Sequence, residues 1–145
     1  MNIKRLTLTA RIPTYTTDGA ACFDLYADTT EPITLHDTVN IGTGLAFEIP
    51  AGYVMLVYSR SGHGFHYGVR LANCVGVIDS DYRGEVRVQL SSDWRDSDYA
   101  APLTIKPGDR IAQAMVVPVG RVQFTEVDEL GTTARGTGGF GSTGV

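Results

Sequence analysis

Along this chain of 145 residues the apolar positions recur at every second residue, and nowhere do they sustain the 3.6-residue period of a helix. Arg5-Leu-Thr-Leu-Thr9 alternates, as do Thr30 to Leu35 and Gly44-Leu-Ala-Phe-Glu-Ile49. Tyr53-Val-Met-Leu-Val-Tyr58 is almost continuously apolar, which predicts a central strand covered on both faces. Glu85-Val-Arg-Val-Gln-Leu90 alternates cleanly and predicts Val86, Val88 and Leu90 inward. Ile111 to Val119 and Val122 to Val127 predict two more strands, after a turn at Lys106-Pro-Gly-Asp109. Ser61 to Tyr67 has room for one short helical turn. Many short strands separated by turn signals predict an all-β fold, an antiparallel jelly-roll-like β-sandwich or barrel.

No internal repeat or linker divides residues 1–134, so they read as a single β domain. The last eleven residues, Arg135-Gly-Thr-Gly-Gly-Phe-Gly-Ser-Thr-Gly-Val145, are mostly glycine and small polar groups and predict a flexible tail. Gly136 to Gly141 fits GxGxxG in its letters, but no strand-to-helix context accompanies it, so a dinucleotide fold does not follow. What remains is a run of backbone N–H donors between Arg135 and an aromatic, Phe140. These parts can wrap a phosphate chain and stack on a base, or form a disordered tail.

A net charge of −4 gives no basic face for a sequence-independent grip on nucleic acid, though a few local arginines can still hold a small phosphate ligand. No apolar run approaches the roughly 18 residues that span a bilayer. The first fifteen residues lack a signal peptide's apolar core, so a cytoplasmic location is expected, with no membrane partner. There Cys22 and Cys74, outside any CxxC or metal spacing, are expected as free thiols.

The candidate chemistry centres on Val75-Gly-Val-Ile-Asp-Ser-Asp-Tyr-Arg-Gly-Glu-Val86, where an apolar run meets two aspartates and restarts as a strand. Asp-Tyr-Arg-Gly between two strand-like runs predicts a hairpin turn. Asp79, beside Val77 and Ile78, is placed for partial desolvation and general-base work; Asp79 and Asp81 also suit ordinary turn formation. Ser59-Arg60-Ser61-Gly62 offers a guanidinium fork, a hydroxyl and an open amide to phosphate oxygens, and is also a common surface sequence. Asp24, in Gly19 to Ala27, could face a hydrated Mg²⁺ or sit at a strand edge. Gln113, in Asp109-Arg-Ile-Ala-Gln113, could donate to phosphate or to its own sheet. His63 and His66 stand three apart without a third ligand, a weak metal signal.

These five stretches occur in one order, and in that order the chain resembles the trimeric dUTPases (dUTP diphosphatases). The five motifs are Gly19 to Ala27, Ser59 to Gly62, Gly76 to Gly84, Gly108 to Gln113 and Arg135 to Gly144. The resemblance implies a jelly-roll homotrimer with shared active sites. It implies hydrolysis of dUTP to dUMP and diphosphate, assisted by Mg²⁺, which keeps uracil out of DNA and supplies the dTMP precursor. It makes Asp79 the base that activates the attacking water at the α-phosphorus. Arg60, Ser61, Gly62 and Gln113 match positions that hold the triphosphate, and Arg135 would reach its far end. Asn73 and the backbone of Gly76, Val77 and Ile78 match the loop that reads uracil edges, and Tyr82 the residue packed on deoxyribose. Phe140, flanked by Gly141 and Ser142, would stack over uracil as the tail closes. Asp24 matches a carboxylate that touches the hydrated ion through water.

Ser59 stands where the family usually has proline, and Cys22 where it usually has glycine. Arg87 stands where relatives are often apolar, and is expected to touch ligand or a subunit interface. The related dCTP deaminases carry a glutamate ten residues after the turn aspartate, where this chain has Gln89, so deamination is disfavoured. A non-catalytic regulator on the same scaffold conflicts with the intact Asp79, Tyr82 and tail. A further protein partner stays open.

Overall fold

The computed structural model describes residues 1–93, 102–142 and 144. Among them eleven strands and one helix follow in chain order. They are β1 (Asn2–Arg5), β2 (Phe23–Tyr26), β3 (Ile33–Thr34), β4 (Thr38–Gly42), β5 (Leu45–Glu48) and β6 (Tyr53–Tyr58). After them come α1 (Ser61–Tyr67), β7 (Val69–Leu71), β8 (Val75–Ile78), β9 (Arg87–Ser92), β10 (Thr104–Ile105) and β11 (Arg110–Pro118). Every pairing is antiparallel. The larger sheets run β2-β11-β6-β8 and β4-β9-β7, with the pairs β1-β5 and β10-β3 beside them. Inward side chains from both sheets, among them Leu25, Met55, Val57, Leu71, Val88, Leu90 and Ile111, join in a single buried cluster. This is the sandwich of jelly-roll type that the alternation predicts.

Val86, Val88 and Leu90 point inward as expected, each 1% exposed. The turn before β11 closes with Asp109 N–H donating to Lys106 C=O at 3.0 Å, and Gly108 supplies the positive φ of 79°. Ser61 to Tyr67 forms α1 and ends on Gly68, whose φ of 61° is the left-handed cap that glycine accepts without strain.

Several expectations change. The run 75–86 is not a hairpin: β8 pairs with β6, whereas β9 pairs with β4 and β7, so residues 79–86 cross from one sheet to the other. Asp79 and Tyr82 still form a local turn, with Tyr82 N–H donating to Asp79 C=O at 3.2 Å. The first strand lies at 2–5 rather than 5–9, because the hydroxyls of Thr7 and Thr9 turn inward onto the Asp28 carboxylate at 2.6 and 2.7 Å. Of Thr30 to Leu35 only Ile33 and Thr34 pair. β6 is central, yet only its Met55–Val57 face is buried; Val54, Leu56 and Tyr58 stay half-exposed within one chain. Val122 to Val127 pairs with nothing, and Val122, Phe124 and Val127 are largely exposed. An alternating sequence makes a strand only where another backbone edge accepts its hydrogen bonds, and among the described residues no strand pairs with this segment.

Candidate active site

The outer face of the four-stranded sheet brings the phosphate-side candidates together. Residues directly opposite in a ladder share a face. Gln113 on β11 lies opposite both Asp24 on β2 and Tyr58 on β6, so its side chain stands between them. The register slips between Arg110 and Ala112, a bulge that adds Arg110 to the same face, opposite Tyr26. Arg60, two residues beyond β6, caps α1 and leans back over this face.

Asp24 is the hub of that group. Its Oδ2 accepts from Thr16 Oγ1 at 2.7 Å and from Arg110 Nη1 at 3.3 Å, and its Oδ1 lies 4.0 Å from Arg60 Nε. The residue is 9% exposed, so its charge is balanced by neighbouring arginines rather than by bulk water. Burial foremost, and then the same carboxylate, push the Cys22 thiol up from its ordinary value; Cys22 and Cys74 are both unpaired. Arg60 Nη1 donates to Arg110 C=O and to His63 Nε2, each at 3.0 Å. Partial burial and the positive Arg110 pull the Arg60 guanidinium below its usual value. Gln113 Nε2 donates to Ser59 C=O at 2.9 Å, and Ser59 Oγ accepts from Leu71 N–H at 2.9 Å. A proline at 59 would lack that hydroxyl, so Ser59 ties the phosphate-side turn to β7. Ser61 is exposed and Gly62 half-buried at the start of α1.

Arg110 and Thr16 belong to this group although sequence reasoning gave them no site role, and His63, weighed in sequence only as a weak metal pair with His66, joins it through Arg60. The charge of Arg110 beside Gln113 was the one available signal; for Thr16, whose approach to Asp24 depends on the 14–24 bridge, none was. No three His, Cys, Asp or Glu side chains gather to hold a metal among the described residues. A single carboxylate such as Asp24 could reach an ion only together with water or phosphate oxygens.

The uracil-side candidates lie elsewhere. Gly76 packs where a Cβ would come 3.1 Å from Val57 Cβ, so its backbone runs close along β6. Val77 and Asn73 are exposed and Ile78 is half-buried. Asp79 is exposed on the rim of an open groove of about 800 Å³ shaped by residues 51–54, 77, 79–81, 119 and 121. The expected partial desolvation of Asp79 is absent within one chain. Tyr82 lies with its ring over Gly84, where any Cβ would overlap it, and its hydroxyl donates to Glu85 C=O at 3.0 Å. Arg87 donates to Asn40 Oδ1 at 2.9 Å and to Glu85 Oε2 at 2.7 Å, bracing β9 against β4. In the tail Arg135 Nε donates to Gly138 C=O at 2.8 Å, and Phe140, Gly141 and Ser142 are exposed. Thr143 and Val145, part of the expected flexible tail, lie outside the described residues.

One chain thus does not bring the two halves together. Ile78 pairs with Met55 and Val75 with Tyr58, so Asp79 sits level with Val54 while Arg60 lies past the other end of β6. Six residues of strand separate these levels, about 20 Å at roughly 3.3 Å per residue.

The dUTPase family profile matches residues 9–144. The deoxyuridine 5'-triphosphate nucleotidohydrolase of Helicobacter hepaticus is 48% identical over 145 residues, covering 100% of this chain and 89% of that protein. The chain belongs to the dUTPase family. Its reaction is hydrolysis of dUTP, as its resemblance implied. A mutant dUTPase of Staphylococcus bacteriophage 80alpha, solved with dUpNHpp, superposes with a TM-score of 0.84 at 27% identity, over 99% of this chain and 98% of that one. A mutant dUTPase from phage phi11 of S. aureus, described with a structural Mg(II) ion, shares the fold at 23% identity and a TM-score of 0.79, over 90% and 98%.

Proposed function

We propose that this dUTPase works as a homotrimer in which each site takes Asp79 and the uracil loop from one copy and the Asp24–Arg60–Gln113 group from another. The observation that carries this reading is the placement of Asp79 and Arg60 at opposite ends of β6. A catalytic base and a phosphate grip that far apart cannot act on one nucleotide, whereas a neighbouring copy can present the missing half. The half-exposed apolar face of Val54, Leu56 and Met115, with exposed Val77 beside it, and the unpaired segment around Phe124 supply surface for such an assembly.

In this reading Asp79 takes a proton from the attacking water, whose oxygen bonds to the α-phosphorus. The bond to the α–β bridging oxygen breaks, and diphosphate leaves. Arg60, Ser61, Gly62 and Gln113 hold the triphosphate, and Arg135 reaches its γ end. Asn73 and the backbone of Gly76, Val77 and Ile78 read uracil, rejecting cytosine by its reversed donor and acceptor pattern. Tyr82 packs on deoxyribose and Arg87 stands at the rim of the ligand or an interface. The tail, a flexible unit over 135–145 against a domain of 1–134, lays Phe140 over the base with Gly141 and Ser142 and excludes water around Asp79. Asp24 would hold Mg²⁺ through a water, and the bound ion would supply positive charge to the phosphate oxygens. A cytoplasmic location fits the role; no helix among the described residues is long and apolar enough to cross a membrane.

The test is a turnover comparison of dUTP with dTTP, dCTP and UTP. Only dUTP should give rapid diphosphate release, and comparable turnover of UTP would remove Tyr82 from its role against the 2′-hydroxyl.

A further inference from the structure

His63 and His66 are a weak metal pair in sequence, and the structure separates them. His66 is exposed, whereas His63 is 8% exposed beneath α1. Arginine cannot accept a hydrogen bond, so in the 3.0 Å contact with Arg60 Nη1 the His63 Nε2 must be the acceptor. The ring proton then sits on Nδ1, which is buried and has no partner among the described residues. An aliphatic side chain could fill this space without an orphaned donor, so packing alone gives no reason for an imidazole here. What the imidazole adds is the acceptor.

Its consequence falls on Arg60. One Nη1 hydrogen goes to His63 and the other to Arg110 C=O. With both used, the guanidinium plane is fixed on one side, and its Nε and Nη2 edge is left toward Asp24 and the outer face of the sheet. That edge is the two-pronged donor a phosphate accepts. We propose that His63 is a positioning residue of the phosphate grip, a neutral acceptor that orients Arg60 for the triphosphate. This inference rests on the reading of Arg60 as a phosphate ligand. The charges facing the ring are Arg60, Arg110 and Asp109. Burial foremost, then Arg60, lowers its pKa to about 4, so the ring remains an acceptor at neutral pH.

The experiment measures dissociation constants of dUMP and of the analogue dUpNHpp in the same preparation of each variant. Their ratio isolates the grip on the outer phosphates and does not depend on the folded fraction. In His63→Leu the preference for the triphosphate should fall about 10-fold, the scale of one charge-assisted hydrogen bond. In His63→Gln, which can place an acceptor near the former Nε2, it should return to within about twofold of the parent. His63→Asn, whose shorter amide cannot reach Arg60, should behave like His63→Leu and serves if the leucine variant does not fold. Arg60→Met should lose the preference most. If Arg60→Met keeps the parental ratio, the reading of Arg60 fails. If Arg60→Met loses it while His63→Leu and His63→Asn keep it, the inference about His63 is overturned and the reading of Arg60 stands. Equal loss in His63→Gln and His63→Leu also overturns it.

Discussion

The two ends of β6 differ as a finished site differs from an open one. At the Tyr58 end, Thr16, Asp24, Arg60, Arg110, Gln113 and Ser59 make hydrogen bonds of 2.7 to 3.3 Å with one another on a sheet face where Asp24 is buried. At the Tyr53 end, Asp79 lies at an open groove, and the Tyr82 hydroxyl is held by its own loop at Glu85 C=O. The phosphate end is organised by ladder register, which one chain supplies by itself. The Asp79 end is a crossing between sheets, and within one chain its surroundings stay open.

The comparison breaks most sharply through Asp79. Asp79→Asn should lower kcat by about 10³-fold while leaving dUpNHpp affinity within about threefold, since the base acts on water and not on binding. Diphosphate release at the parental rate would contradict the assignment.

The buried end should respond to acid through His63. The folded pKa of His63, about 4, lies below its ordinary 6.5, so the unfolded chain takes up the proton first. The stabilisation is whole above about pH 6.5 and is lost as pH falls toward 4, on the order of 3 kcal/mol over that window. Melting temperatures between pH 7.5 and pH 4 should drop more steeply for the parent than for His63→Gln. Parallel curves would refute it.

A smaller effect is expected at Asp24. Asp24→Asn keeps the shape but removes the charge that Arg110 and Arg60 face, and should raise the Mg²⁺ concentration for half-maximal turnover about 10-fold. An unchanged Mg²⁺ dependence would detach Asp24 from the ion.

The alternation at 85–90 was enough to orient Val86, Val88 and Leu90, because burial on one face leaves the register a single solution. The motif order was enough to name the family. What sequence did not yield depends on partners remote in the chain. Whether Val75 and Val86 join as a hairpin is decided by which strand each finds, β6 or β4, and local turn chemistry is silent on that. β4, β7 and β10 were not predicted as strands: Val69 to Leu71 and Thr104–Ile105 are too short to show a period. Thr16 and Arg110 converge on Asp24 from 8 and 86 residues away, a contact no local pattern encodes.

The central claim is that one site needs two copies, and mixed assemblies test it most directly. Asp79→Asn and Arg60→Met chains, each inactive alone, are unfolded, mixed in equal amounts and refolded together. If the base and the grip come from different copies, a site is complete when an Arg60→Met chain supplies Asp79 and an Asp79→Asn chain supplies Arg60. Random assembly with a directional interface then restores about one quarter of the parental turnover per site. Turnover no higher than the sum of the two separate variants would place both residues in one chain and contradict the account.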